Sequence, residues 1–324
     1  MSGWGGRFWR WPEELRRGGV LGINRRNLEY IIPNNPRAHY PNVDNKLKTK
    51  EICQENGIPV PDTYAVIRNQ SELKSLNELL AERRDFVVKP AHGAAGRGIV
   101  VIAGRRTYGF KTPSGNLITY NDLRYHISTT ISGAYSLGGQ VDQAIIERRI
   151  ISHPTLVGVT VGGTPDIRVI LYHGVPVMAM VRLPTSESGG RANLHQGAVA
   201  AAVHLVAGVT FGGVCRNRAI DRHPDTNEPI AGIEIPQWKA LLEASMKLSD
   251  SLQMGYVGVD FVIDSDIGPV VLEANARPGL AIQVAHREGL LPRLAYVDAQ
   301  HPESRKHEGR WDMMVKLAGM SHAH

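Results

Sequence analysis

Two short stretches hold the residues best suited to chemistry. In GVDFVID and GPVVLEANARPG, Asp260, Glu273 and Asn275 offer three hard oxygen donors on what read as neighbouring strands. Glu273 and Asn275 are two residues apart, so on a strand their side chains share a face. Mg²⁺ accepts such sparse carboxylate and amide oxygens when phosphates complete its shell. Two ions bridging a triphosphate would neutralise it and align its terminal phosphoryl group. A polar strand end at a loop rim would explain one Asp, but it suits this trio poorly because the two strands are otherwise apolar. The second stretch is Lys89 followed by HGAAGRG. There Gly93, Gly96 and Gly98 would let backbone N–H groups approach phosphate oxygens, and the lysine adds a point charge. It is not a Walker A loop, for no GK[ST] closes it, and it is not a GxGxxG turn opening a helix, for a β-branched strand follows. Taken alone, it is equally a plain hairpin turn.

The elements that must position these residues can be read from periodicity. NKLKTKEICQEN, from Asn45 to Asn56, has helix-forming composition and stops at Gly57. SELKSLNELLAER, opened by a serine cap, predicts an amphipathic helix with Leu73, Leu76, Leu79 and Leu80 on its apolar face. DFVVKPAHGAAGRGIVVI predicts strand, glycine turn and strand, with Lys89 at the end of the first. Residues 104–140 are polar and glycine-rich and read as an insertion or flexible flap, with weak strand signals near Leu117 and helix after Asn121. QAIIERRI and DIRVILYHGVPVMAMVRLP are apolar β-branched runs broken by turns, and predict antiparallel strands. RNRAIDRHPDTNEPIAG is a polar hairpin excursion, and PQWKALLEASMKLSDSL is a strong helix with Trp238, Leu241, Leu242, Ser245 and Leu248 at helical spacing. Asp264 and Asp266 fall in the turn between the last two strands and read as solvent-facing.

Bulk properties exclude several classes. No apolar run is long enough to span a bilayer, and the first residues lack the apolar stretch of a secretory signal, so the expected compartment is cytoplasmic. Cys53 and Cys215 stand far apart without metal-ligand spacing and read as structural thiols. The net charge of +6 is local: residues 1–40 hold seven arginines against three glutamates, +4 of it. Trp4, Phe8, Trp9 and Trp11 among Arg7, Arg10, Arg16 and Arg17 could stack on bases, lie on an anionic surface or pack on the protein itself. The near-neutral remainder makes nucleic acid an unexpected partner. His92, His195 and His286 read as polar contacts rather than metal ligands.

Taken in order, these segments resemble the ATP-grasp superfamily, in particular RimK-type α-L-glutamate ligases and the D-alanine–D-alanine ligase group, from about Asp44 to Gly279. The resemblance implies an α+β fold with two lobes clasping ATP: a reduced N-terminal region over residues 1–44, an N-terminal lobe with glycine loop and insertion over 45–146, a C-terminal lobe with the metal site over 147–300, and a tail over 301–324. It implies phosphate contacts from Lys46, Lys89 and the loop residues His92, Gly93, Gly96 and Gly98, with adenine at the hinge QAIIERRI through Glu147, Arg148 and Ile150. DIRV at Asp166–Val169 and RANLHQG at Arg191–Gly197 are similar to RimK-type sequences in the same order, with Asn193 near the metals. Asp260, Glu273 and Asn275 would hold two Mg²⁺, with Mn²⁺ as the alternative ion, and a homo-oligomer is implied.

The implied chemistry is a carbon–nitrogen ligation that forms ADP. A carboxylate is activated as an acylphosphate and passed to an amine, adding an amino acid such as glutamate to a peptide, protein or small acceptor. Arg182 and Arg277 are the candidate cations for the oxyanion, and Arg168 is open between that task and pairing with Asp166 or another carboxylate. Modification of a cell-surface sugar or peptide is a second reading, and a non-catalytic nucleotide- or RNA-binding module a third. The chain departs from the RimK pattern in three places. Its N-terminal region is short, Arg277 replaces a small residue, and no acidic residue follows the hinge to hold the ribose.

Overall fold

The computed structural model describes residues 12–93 and 96–320. Asn45 opens the first long helix, Lys46–Glu55, by accepting the Leu47 N–H at 2.9 Å, and Gly57 ends it at φ +61°. Chain order then gives strands β1 (Thr63–Ile67), β2 (Phe86–Pro90), β3 (Val100–Ile102), β4 (Gly104–Arg106), β5 (Gly109–Lys111), β6 (Leu117–Ile118) and β7 (Ala144–Glu147). β1, β7, β2 and β3 form one antiparallel sheet in that order, and β4, β5 and β6 form a second small one. The helix Tyr120–Ile131, capped by a reciprocal Thr119–Asp122 box, lays Leu123, Ile127 and Ile131 into the core beneath the first sheet with Phe86, Val88 and Phe110.

Two expectations for this lobe change. Residues 104–140 are not a loose flap. Phe110 of β5 and the Tyr120–Ile131 helix are part of the lobe's own hydrophobic core, the helix through Leu123, Ile127 and Ile131, which fall at the helical interval on one face. The helix expected over SELKSLNELLAER is broken into a 3-10 turn, Glu72–Ser75, and a single α turn, Leu76–Leu79. Its Leu73, Leu76 and Leu80 are buried nonetheless, which a short segment achieves without a continuous helix.

The larger lobe is a seven-stranded antiparallel sheet in the order β12-β11-β10-β9-β8-β13-β14. Its strands are β8 (Asp166–Tyr172), β9 (Val175–Leu183), β10 (Val199–Val203), β11 (Thr210–Cys215), β12 (Arg218–Ala219), β13 (Tyr256–Asp264) and β14 (Gly268–Asn275). The helix Trp238–Leu252 forms as expected and buries Trp238, Leu241, Leu242, Ser245 and Leu248 against this sheet and the Lys46–Glu55 helix. Residues 301–320 are not a tail: the helix His307–Met320 packs on β9 and buries Met313, Met314 and Leu317, while Arg310 grips Asp250 with two bonds of 2.8 Å. Residues 12–44 likewise belong to this lobe. Leu21, Tyr30 and Ile31 enter its core, and the Asn35 side chain exchanges bonds of 2.9 and 2.7 Å with the Tyr256 backbone. The expectation for Trp4, Phe8, Trp9, Trp11, Arg7 and Arg10 lies outside the described residues.

The two lobes are stitched at the β13–β14 turn. Asp264, expected to face solvent, is fully buried, and only Asp266 is exposed. The Asp264 carboxylate accepts Ile151 N–H at 3.0 Å, the Asp266 and Ile267 N–H groups of its own turn and the Arg148 guanidinium at 3.3 Å. A turn at a lobe junction thus uses its Asp to satisfy donors from both sides. Replacing Asp264 by Ala should cost about 2–4 kcal/mol, since it leaves the Ile151, Asp266 and Ile267 N–H groups without their acceptor and removes one of the two carboxylates on Arg148. A thermal midpoint unchanged from the parent protein would show that the junction does not depend on this carboxylate.

Candidate active site

Pairing register brings the chemical residues into one patch. β8, β13 and β14 set Arg168, Asp260 and Glu273 opposite one another in a row, and Asn275 lies one step along. β8 and β9 set Asp166 opposite Arg182. Directly opposed residues share a sheet face, so all six side chains stand on the same side. The other side of β8, with Ile167, Val169 and Leu171, is apolar core.

The patch contains a closed network of charge. Arg168 donates to Asp260 from Nε at 2.7 Å and from Nη2 at 2.5 Å. Arg182 donates to Asp260 at 2.9 Å and to both Asp166 oxygens, at 2.5 and 2.7 Å. Burial would raise the Asp260 carboxyl, but Arg168 and Arg182 outweigh it and hold it down to about 2. Burial raises Asp166 against the pull of Arg182, with the Asp260 charge adding to the rise. Burial would lower Arg182, and the two aspartates keep it above its usual value. Arg168 is therefore a partner of Asp260, and Arg182 is neutralised on two carboxylates rather than aimed at open space.

Glu273 and Asn275 are half-buried and remain on the open side of this network. The Asn275 amide lies 3.3 Å from Glu273 Oε1 and 3.5 Å from Asp260 Oδ2, and a flip of that amide would turn its oxygen to the same space. A carboxylate beside an amide oxygen fits a Mg²⁺ that draws its other ligands from phosphate and water. Asp260 stands behind them, engaged by arginine. Among the described residues no three His, Cys, Asp or Glu side chains form a metal cluster.

Lys46 joins this patch to the glycine loop. Its Nζ donates to the Gly93 carbonyl at 2.5 Å and lies 3.9 Å from Glu273 Oε2, while its backbone N–H binds the Ala91 carbonyl at 3.1 Å. Burial lowers the Lys46 amine, and Glu273 opposes that shift. The loop is built for close approach. A Cβ on Gly93 would sit 2.2 Å from the Pro90 ring, and Gly98, at φ +74°, lies against the Tyr135 ring. At the loop base His92 meets Asp142, with Nδ1 2.8 Å from Oδ1.

Lys89 and Glu147 occupy neighbouring strands and meet at 2.6 Å. The second Glu147 oxygen takes Lys50 Nζ at 2.6 Å, and all three side chains are buried. Burial would raise the Glu147 carboxyl, and Lys89 followed by Lys50 holds it below the carboxylate range. Glu147, read from the sequence as an adenine contact, thus has both oxygens engaged by lysine. Arg148 reaches Asp264 and Asp266 at 3.3 and 2.8 Å, and half-buried Ile150 follows it on the lobe-connecting segment. Asn193 accepts His195 N–H at 3.0 Å and caps the turn Leu194–Gln196. His286 is buried, pushed down to about 3 by desolvation, and bonds the Ala179 carbonyl. Arg277 is exposed, with its guanidinium 5.3 Å from the Tyr40 ring centre. Lys50 and Asp142 escaped the sequence reading. Lys50 carries a signal, since it follows Lys46 by four residues and so shares its helix face, whereas nothing in the sequence marks Asp142.

Comparison with known proteins shows the family to which this fold belongs. The family described as sugar-transfer associated ATP-grasp matches residues 25–299, and the chain belongs to it. The expectation of an ATP-grasp enzyme is met at that level, and the match extends beyond the Asp44–Gly279 span of the sequence resemblance. No curated protein sequence matches the chain. Among solved structures, the ATP-grasp ligase PsnB complexed with minimal precursor is 15% identical with a TM-score of 0.45, over 83% of this chain and 64% of that one. D-alanine–D-alanine ligase from Bacillus anthracis is 17% identical, TM-score 0.44, over 89% and 70% of the two chains. D-alanyl-alanine synthetase A from Vibrio cholerae O1 biovar eltor str. N16961 is 10% identical, TM-score 0.44, over 86% and 66%. The chain thus spans under two thirds of the PsnB ligase's length, and the assignment rests on the family match.

The Lys50–Glu147–Lys89 triad makes a clear prediction. Glu147→Gln leaves two buried ammonium groups without a counter-charge and should destabilise the protein by about 3–5 kcal/mol, the usual cost of breaking a buried pair from one side. Adding Lys50→Met should recover part of that loss in chemical denaturation. Equal stability of Glu147→Gln and the parent would mean that the triad does not hold the lobe together.

Proposed function

We propose that the chain is an ADP-forming carbon–nitrogen ligase. A carboxylate oxygen of the substrate attacks the γ-phosphorus of ATP, the bond from that phosphorus to the β–γ bridging oxygen breaks, and ADP leaves. An amine then attacks the acyl carbon of the acylphosphate, and inorganic phosphate leaves with the C–O electron pair. The observation that carries this reading is Lys46, whose amine sits between the Gly93 carbonyl of the glycine loop and the Glu273 carboxylate. One cation there faces both the loop that would cradle phosphates and the strand that would hold the metal. Lys46, His92 and the amides of the loop that carries Gly93, Gly96 and Gly98 would bind the phosphates, with the base at the connecting segment of Arg148 and Ile150, while Lys89 is engaged by Glu147. Mg²⁺ held by Glu273 and Asn275 would neutralise the triphosphate charge and align it.

The geometry favours Arg277 over Arg182 as the cation for the activated carboxylate or the tetrahedral oxyanion. Arg182 is fixed between Asp166 and Asp260, whereas Arg277 is exposed two residues beyond Asn275 and forms no ion pair with a carboxylate among the described residues. An amino acid such as glutamate is the proposed carboxylate or amine, and a peptide, protein or small molecule the acceptor. Modification of a cell-surface sugar or peptide is the second reading, favoured by the family's association with sugar transfer. No helix among the described residues is long and apolar enough to cross a membrane. Two free thiols suit the reducing cytoplasm, where ATP is available.

Purified protein should release ADP in a Mg²⁺-dependent manner when given the right amino acid and acceptor. Glu273→Ala and Lys46→Ala should each reduce turnover by roughly a hundredfold or more, the scale of losing one preorganised charge. Arg277→Ala should cut turnover while leaving the thermal midpoint in place, and Arg182→Ala should lower the midpoint. Nucleotide turnover that survives Glu273→Ala and Lys46→Ala together would sink the reading.

A further inference from the structure

Asp142 precedes β7 and is buried to 1% exposure, yet its carboxylate is the anchor of the glycine loop. It accepts the His92 backbone N–H at 3.1 Å on both oxygens, faces the His92 ring at 2.8 Å, and accepts Ser136 Oγ at 2.8 Å and its neighbour Gln143 N–H at 2.7 Å. The Gln143 carbonyl in turn accepts Ala91 N–H at 2.9 Å. Burial would raise the Asp142 carboxyl, and these hydrogen bonds, His92 first, hold it below its ordinary range. From the other side Lys46 binds the Ala91 carbonyl through its backbone and the Gly93 carbonyl through Nζ. The three residues 91–93 are therefore gripped between Asp142 and Lys46, while the His92 ring remains partly exposed, its side chain at 41%.

We propose that Asp142 is a positioning residue for nucleotide binding: by holding Nδ1 it fixes the His92 imidazole, so that the ring meets the phosphates already oriented. A ring held through Nδ1 by a carboxylate has its orientation determined, and the Nε2–H of the imidazolium, the form that can donate to phosphate, is turned away from that carboxylate. The gain to the ligand is preorganisation, because a ring left free to rotate must be ordered at the moment of binding. This inference rests on the reading of the loop and Lys46 as a phosphate site.

The test is binding of Mg–ADP to the full chain by calorimetry, with no acceptor required. Asp142→Asn and His92→Gln should each weaken Mg–ADP by about tenfold, the scale of losing one charge-assisted hydrogen bond. The double variant should bind within about twofold of His92→Gln alone, because Asp142 works through that ring. Single effects that multiply to about a hundredfold would show that Asp142 acts independently of His92, and unchanged affinity in His92→Gln would overturn the proposal even if Asp142→Asn failed to fold. Parent protein that does not bind Mg–ADP at all would instead overturn the phosphate-site reading on which the proposal stands.

Discussion

A carboxylate buried away from water stays charged only where donors meet it at hydrogen-bond distance, and four such carboxylates organise this molecule. Glu147 binds Lys50 and Lys89, and so ties the Lys46–Glu55 helix to β2 and β7. Asp260 binds Arg168 and Arg182, and so locks β13 to β8 and β9. Asp264 receives Arg148 and Ile151 from the connecting segment, and Asp142 receives the glycine loop. Each sits at a junction between elements that hydrophobic packing brings near one another without fixing their register. Apolar contact is non-directional, whereas a carboxylate with two to four donors accepts one geometry.

The same constraint sorts the cations of the site. Seven basic groups lie within the patch or at its edge, and those with buried carboxylate partners are structural in effect whatever their distance from the metal residues. Lys50, Lys89, Arg168 and Arg182 belong to that group. Lys46 is the intermediate case, because it touches Glu273 only at 3.9 Å and holds the loop through a neutral carbonyl. Arg277 and His92 keep exposed surface and can meet a ligand. A division of this kind leaves the floor of the site held by internal ion pairs, and puts adaptable charge at its rim, where an anionic ligand arrives.

The segments flanking the catalytic lobes obey the packing side of the argument. Leu21, Tyr30 and Ile31 at one end and Met313, Met314 and Leu317 at the other all enter the core of the large sheet. Both ends therefore extend one folding unit. Polar exchanges such as Asn35 with the Tyr256 backbone specify where the first of these segments docks.

Much of the site was legible in the sequence because local pattern determines it. Two-residue spacing on a strand puts Glu273 and Asn275 on one face, a cap at Asn45 and a glycine at 57 bound the helix that carries Lys46, and a glycine-rich hairpin follows Lys89. Those features depend on dihedral preference and periodicity, which neighbours along the chain decide. What the sequence could not show is which charges meet across the fold. Asp264 looked like a turn residue facing water, residues 104–140 like a flap, residues 301–324 like a tail, and Arg182 like an available cation. Each of these depended on a partner roughly eighty or more residues away or on a core that exists only once the sheets have closed. Burial is a property of the assembled sheets, and it decides whether a charged group serves as an internal strut or as a ligand contact.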